Sequence, residues 1–217
     1  IYAIKKIKCL RFSKHIDLPL FKNMLLFTGW TFLNPLAYTG RSQGCNIVLN
    51  FFFGPIVNAA YAITNQVSAA IDSFSMSISV AARPQIIQSY SSKDYVRTNK
   101  LFFSTSKIMF ILIAILTIPL CFNMKFILSI WLGDNVPEYT AVFCVWILMV
   151  KLVDSLNPPC TNLIMATGKI RSYMIASSLL IFSVVPLSVL LFNIYKEPYQ
   201  MFFIMLLCTL INQICSV

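Results

Sequence analysis

Four ionisable residues stand inside apolar stretches that are long enough to cross a membrane: Arg41, Asp72, Lys151 and Asp154. A charge at the centre of a membrane-spanning helix costs roughly 2.5–3.5 kcal/mol on insertion scales, so such residues face a bundle interior or a water-filled cavity. Two of the four are cations and two are anions. This balanced set indicates a polar cavity within a helical bundle, where cations could hold an anionic group and acids could bind an ion or a proton.

The second apolar stretch carries its polar residues on one helical face. Asn58, Asn65, Asp72 and Ser79 follow one another at intervals of seven residues, and Arg83 returns to the same face. Asn and Ser on such a face could hydrogen-bond neighbouring helices, or the face could line a cavity. Asp72 favours the cavity, because packing alone does not explain an ionisable group in the middle of a span.

Two further pairs have helical spacing. Lys151 and Asp154 are three residues apart and share one side of a helix; they could neutralise each other, or bind an anionic headgroup through Lys151 and titrate through Asp154. Asn34 and Arg41 are seven apart, on one face of the first stretch. Arg41 could extend to the outer interface, or line the cavity, where its planar guanidinium suits phosphate.

The elements that must position these residues are six apolar segments. Hydrophobic residues make up 58% of the 217-residue chain and charged residues 11%, against about 25% charged in a soluble domain. A span needs about 20 apolar residues, so we predict an all-α, polytopic membrane protein, with kinks where prolines remove a helical hydrogen bond. The predicted segments cover residues 22–52, 55–83, 104–123, 139–167, 171–193 and 200–217.

The charge pattern predicts the orientation. Most of the 17 Lys and Arg residues lie before residue 23, between residues 83 and 107, or at positions 169 and 171, whereas Lys125 and Lys196 lie on the other side. Cytoplasmic loops carry the excess of Lys and Arg, so we expect a multi-pass protein of the cytoplasmic membrane with a cytoplasmic N-terminus. Residues 1–20 are expected to form a basic interfacial connector, and residues 21–217 a transmembrane lobe. This sorting by side also explains the net charge of +10 without a nucleic-acid partner.

No enzyme motif is present in the sequence. There is no HExxH, GxSxG, P-loop, paired-carboxylate motif or histidine-based triad, and the single histidine is His15. The seven cysteines contain no CxxC pair, which argues against a disulfide framework or a zinc site. We therefore expect no catalytic residue, no metal and no cofactor.

The order of several short motifs resembles a known family. Residues 46–95 contain an apolar helix, a Phe-Gly turn at 53–54, an Ala-rich helix, Pro-Gln-Ile at 84–86 and a short basic loop. Trp-Leu-Gly at 131–133, Val-Pro-Glu-Tyr-Thr at 136–140 and Ala-Thr-Gly-Lys-Ile-Arg-Ser-Tyr at 166–173 follow. From about residue 20 onward, the chain resembles the polysaccharide and O-antigen flippases of the multidrug/oligosaccharidyl-lipid/polysaccharide (MATE-like) exporter superfamily.

The resemblance implies an architecture. Such transporters have about twelve helices in two six-helix lobes around a central cavity, and they alternate access by moving one lobe against the other. This chain looks like the C-terminal half: one lobe of about six transmembrane helices, truncated at its C-terminal end. The implied partners are the bilayer, a lipid-linked oligosaccharide and a missing N-terminal six-helix lobe.

The resemblance also implies a function, namely flipping a lipid-linked polysaccharide or O-antigen precursor across the cytoplasmic membrane. Asp72 and Asp154 would couple transport to an ion or a proton. Three alternatives stay open: a cation-coupled drug or metabolite exporter of the same superfamily, a membrane-embedded enzyme of cell-envelope synthesis, and a truncated lobe without activity of its own. The expected substrate-binding residues are Asn34, Arg41, Asn58, Asn65, Arg83 and Lys151.

Overall fold

The computed structural model describes residues 17–133, 135–168 and 170–216. These residues form seven helices and no strand, so the predicted all-α fold is confirmed. The helices are α1 (Leu18–Ser91), α2 (Tyr95–Phe122), α3 (Met124–Leu132), α4 (Thr140–Asp154), α5 (Asn157–Thr167), α6 (Arg171–Ile194) and α7 (Gln200–Cys215).

Helix α1 reverses direction at Gly54. The φ angle of Gly54 is 80°, in the region that glycine enters without steric cost, and Pro55 then begins the second half, where its missing N–H is not needed. In one straight helix Cys45 and Tyr61 would be about 24 Å apart, yet their side chains are in contact. The element is therefore an antiparallel hairpin of two spans, α1a (residues 18–53) and α1b (residues 55–91).

The chain crosses between two faces of the bundle. The Ser91 end comprises the start of α1, residues 92–94 and the junction of α5 with α6. The Gly54 end comprises Gly54, helix α3 and residues 195–199. At the Ser91 end the side chain of Asp94 accepts a hydrogen bond from the backbone N–H of Arg97 and caps α2.

The six predicted segments correspond to α1a, α1b, α2, α4 with α5, α6 and α7. The second continues to Ser91 instead of ending at Arg83, and the fourth is interrupted at Ser155–Leu156, just before the predicted proline bend. By length and hydropathy, α1, α2, the α4–α5 pair and α6 can each cross a membrane, while α7 is shorter. Residues 1–16 of the predicted connector lie outside the described residues. The last residues of that predicted segment already belong to α1, which begins at Leu18.

Aromatic side chains fill the bundle near the Gly54 end. Phe143, Phe192 and Phe202 are fully buried there, together with Leu49 and Tyr61. Many large apolar side chains of every long helix remain exposed on the outside of the bundle. An apolar exterior around packed aromatic residues suits a lipid environment.

Gly44 lets α1a and α6 approach closely. A Cβ atom on Gly44 would lie 2.7 Å from Cγ2 of Val185, whereas a Cβ on Gly29 would meet nothing within 4 Å. We expect Gly44→Ala to destabilise the bundle by about 1–3 kcal/mol, since overpacking forces the helices apart. Gly29→Ala is the matched control and should be neutral or slightly stabilising. Thermal unfolding of the complete gene product in detergent measures both; equal melting temperatures would contradict the close approach.

Candidate functional site

One buried ammonium group joins two carboxylates at the middle of the bundle. The Nζ of Lys151 on α4 lies 2.7 Å from Oδ2 of Asp72 on α1b and 4.0 Å from Oδ2 of Asp154 on its own helix. Lys151 is 8% exposed, the side chain of Asp154 is 22% exposed and that of Asp72 is half exposed. Lys151 therefore pairs with two acids at once, of which Asp72 remains accessible from outside the bundle.

Arg41 lies next to this cluster on α1a. Its guanidinium carbon is 5.0 Å from the centre of the Tyr38 ring, a cation–π distance. Arg41 and Asp154 line the same small cavity, but no carboxylate of the described residues comes within 4.0 Å of Arg41. The four charges predicted from the sequence thus gather around one region, and Arg41 keeps a positive charge without a directly paired acid.

The small cavity also brings α7 to the site. Tyr38, Arg41, Asp154, Thr209 and Asn212 line it, and it offers about 10 Å³ to the centre of a water molecule, which is room for about one water. Asn212 is 4% exposed, and its Oδ1 has no hydrogen-bond partner within the described chain. A buried carbonyl oxygen of this kind calls for a donor, and a water beside the Arg41 guanidinium would supply one.

Asn34 and Arg83, two other predicted site residues, lie apart from the charged cluster. The Oδ1 of Asn34 accepts a hydrogen bond of 2.8 Å from the Ser178 hydroxyl of α6, so Asn34 links two helices. Arg83 is exposed near the Ser91 end, with Nη2 3.0 Å from the sulfur of Met165. Neither side chain touches the Lys151 cluster.

The two asparagines of α1b lie between the Gly54 turn and Asp72. The Asn65 side chain is beside the Tyr61 hydroxyl. The Oδ1 of Asn58 is buried and has no partner among the described residues. Of the predicted polar face of α1b, Asp72 is thus the residue that joins the charged cluster.

Sequence reasoning missed three residues of this region. Tyr38 and Asn212 line the small cavity, and Asn162 on α5 donates hydrogen bonds to the hydroxyl and carbonyl of Ser79 at 3.1 and 3.3 Å. A signal was present only for Tyr38, which lies three residues before Arg41 and therefore on the same helical face. Asn162 and Asn212 lie in short helices with a few other polar residues, and the sequence does not reveal which helix they face.

The Ser79–Asn162 contact predicts a measurable packing effect. We expect Asn162→Leu to lower the stability of the complete gene product by about 1 kcal/mol, since an interhelical hydrogen bond in a membrane protein contributes on that order. Asn193→Leu is the control, because Asn193 is exposed and bonds only the Val189 carbonyl of its own helix. Chemical denaturation of the reconstituted protein compares the two; an Asn162→Leu variant as stable as its control would contradict the contact.

The sequence model of the MatE family matches residues 31–190, well over half of the 217 residues. The chain belongs to the MatE family. Proteins of this family are transporters, and the apolar helices of this MatE chain agree with a multi-pass membrane transporter. The matched range contains all four charges of the cluster, while Asn212 lies beyond it. No curated protein and no solved structure matches the chain.

Proposed function

We propose that the complete gene product flips a lipid-linked oligosaccharide, a polysaccharide or O-antigen precursor, across the cytoplasmic membrane. In this proposal the chain supplies the C-terminal lobe, and an N-terminal six-helix lobe covers its polar face. The observation that carries the proposal is Arg41, a partly buried cation with no acid within 4.0 Å in the described chain. A lipid-linked oligosaccharide carries phosphate, which would have to pass such a cation as the substrate crosses the membrane.

The setting of Arg41 suits phosphate for two physical reasons. A guanidinium group presents a rigid fork of donors that can hold two phosphate oxygens at once, and the cation–π contact with Tyr38 helps to hold it in place. Asp154 lines the same cavity as Arg41 but lies beyond 4.0 Å from it, so the guanidinium donors are not held by a direct ion pair. A passing phosphate could therefore accept hydrogen bonds from the Arg41 guanidinium while the substrate is bound.

Lys151 has a different role in the proposal. Its ammonium is already held by Asp72 and Asp154, so it binds substrate only if one carboxylate releases it. Protonation of Asp72, or binding of a cation there, would free Lys151 toward the substrate. The half-exposed Asp72 carboxylate is the group that an ion or proton would reach first, which supports ion coupling during alternating access.

The proposed orientation follows the positive charges of the described residues. Lys125 and Lys196 lie at the Gly54 end of the bundle. A larger number of cations lies near the Ser91 end. Because cytoplasmic segments carry the excess of Lys and Arg, we place the Ser91 end in the cytoplasm. The cations near that end are Lys22, Arg83, Lys93, Arg97, Lys100, Lys107 and Arg171.

A cation-coupled drug or metabolite exporter is the second candidate. The observation that favours it is the exposure of Asp72, because a half-exposed carboxylate at mid-span could bind a cationic substrate directly. The Lys151 ammonium at 2.7 Å weakens this alternative, since a cationic substrate would have to displace it.

Complementation separates these two functions. The complete gene is expressed in cells that lack their own glycan flippase, and surface polymer is detected with a glycan-specific lectin. Restored surface polymer is the expected result, and it should be lost with Arg41→Ala at equal protein levels. Drug resistance without surface polymer, in cells with the protein in the membrane, would instead favour the exporter.

A further inference from the structure

A cavity with one cation in its lining opens at the Gly54 end of the bundle, apart from the charged cluster. It measures about 470 Å³ and lies where the end of α2, the start of α3 and the first turns of α4 meet. None of the four mid-span charges contributes to it. Its lining consists of residues 121–126 together with Ala141, Val142, Val145 and Trp146.

The walls of this cavity are apolar side chains that the bundle leaves uncovered. Phe122 is 86% exposed, Phe126 is 65% exposed and Val142 is 44% exposed. Trp146 contributes a half-buried ring that packs edge-to-face on Phe203 of α7, with 6.3 Å between the ring centres. Such walls are unfavourable in water and favourable against a hydrocarbon chain.

Helix α3 fixes the depth of the cavity. Met124 and Leu128 of this nine-residue helix are buried against the bundle, while Phe126, Ile130 and Trp131 point outward. A short helix with exposed aromatic residues at the end of the spans lies in the interface between headgroups and acyl chains. The cavity therefore opens at the level of lipid headgroups.

Lys125 is the one charged side chain of the lining. Within the part of the chain that the structure describes, no carboxylate lies within 4.0 Å of its ammonium group. Asn123 beside it uses its amide nitrogen to bond the Pro119 carbonyl. The mouth of an apolar cavity thus presents a positive charge that has no carboxylate partner among the described residues.

We propose that this cavity binds one membrane phospholipid with a net negative headgroup. The phosphate lies at Lys125, and an acyl chain lies against Phe122, Val142 and Trp146. Charge complementarity selects the anionic headgroup, and the interfacial depth and apolar walls select a lipid over a soluble anion or a peptide. The inference does not depend on which substrate the transporter moves, because none of the proposed substrate residues lines this cavity.

Native mass spectrometry of the complete gene product in mild detergent tests the proposal. Phosphatidylglycerol and phosphatidylcholine of equal chain length are titrated separately, and the retained lipid is counted. We expect phosphatidylglycerol to be retained preferentially, and Lys125→Gln to weaken its retention by roughly three- to tenfold, the effect of one charge-assisted contact at an exposed site. Val142→Trp, which fills the groove from its exposed wall, should weaken the retention of both lipids.

Lys196→Gln is the matched control, because Lys196 is an exposed lysine of the same membrane face that does not line the cavity. It should leave phosphatidylglycerol retention unchanged. An equal loss in Lys196→Gln and Lys125→Gln would show that retention follows overall charge and would overturn the site. Equal retention of the two lipids by the unmodified protein, or full retention by both Lys125→Gln and Val142→Trp, would overturn it as well.

Discussion

Replacement of Lys151 by methionine is expected to destabilise the complete gene product and to abolish transport. Methionine keeps the length of the side chain but removes the ammonium that Asp72 and Asp154 share. Removing one partner of a buried ion pair costs roughly 3–5 kcal/mol. Because Asp72 is half exposed, solvent screening reduces the cost, and we expect a loss of about 2–3 kcal/mol.

A second substitution should restore much of that stability. Asp72→Asn in the Lys151→Met background removes one of the two unpaired carboxylates, so the double variant should unfold at a higher temperature than Lys151→Met alone. Lys196→Met is the control for a lysine without such partners. Thermal unfolding of all variants in one detergent gives the coupling energy; additive effects of the two substitutions would mean that the Asp72–Lys151 contact does not stabilise the bundle.

Replacement of Arg41 by alanine is expected to reduce transport of a phosphate-linked substrate by roughly 10- to 100-fold. Charge-assisted hydrogen bonds contribute about 1.5–3 kcal/mol each, and 1.4 kcal/mol corresponds to about tenfold. Stability should change little, because Arg41 has no carboxylate partner within 4.0 Å among the described residues. The initial rate of glycan export in complemented cells, divided by the amount of protein in the membrane, measures the effect.

Two companion variants make the Arg41 result specific. Arg41→Lys keeps the charge but loses the planar fork, so it should retain a fraction of the rate. Arg97→Ala removes an exposed arginine near the Ser91 end and should transport normally. Full transport by Arg41→Ala would remove Arg41 from the substrate site, and equal loss in Arg97→Ala would show that only the net charge matters.

The spans could be predicted because each depends on local sequence. Apolar runs of sufficient length predict membrane helices directly, and the Phe-Gly-Pro sequence around Gly54 marks the reversal that the φ angle of Gly54 makes possible. The interruption of the fourth segment just before Pro158 and Pro159 agrees with the general expectation of kinks at prolines. The second predicted segment differed in length. It was predicted to end at residue 83, but α1b continues to Ser91, because Pro84 removes a single helical hydrogen bond without ending the helix.

The site could be predicted only in part, because its contacts join distant parts of the chain. The four mid-span charges were found by their cost in a membrane, and Lys151 and Asp154 by their spacing. Their shortest contact, however, is between Lys151 and Asp72, 79 residues apart, and helical spacing carries no information about it. Asn34 and Ser178 bond across 144 residues, so the same polar residue type that suggested a cavity instead holds two helices together.

Reconstituted transport tests the central claim most directly. The complete gene product is placed in liposomes with a labelled polyprenyl-pyrophosphate oligosaccharide, and the fraction of label that reaches a membrane-impermeant glycosidase is followed over time. We predict movement by the unmodified protein and a strongly reduced rate with Arg41→Ala in equal amounts of folded protein. No movement of the lipid-linked oligosaccharide by folded protein, in liposomes where the same protein moves a cationic dye, would contradict the account.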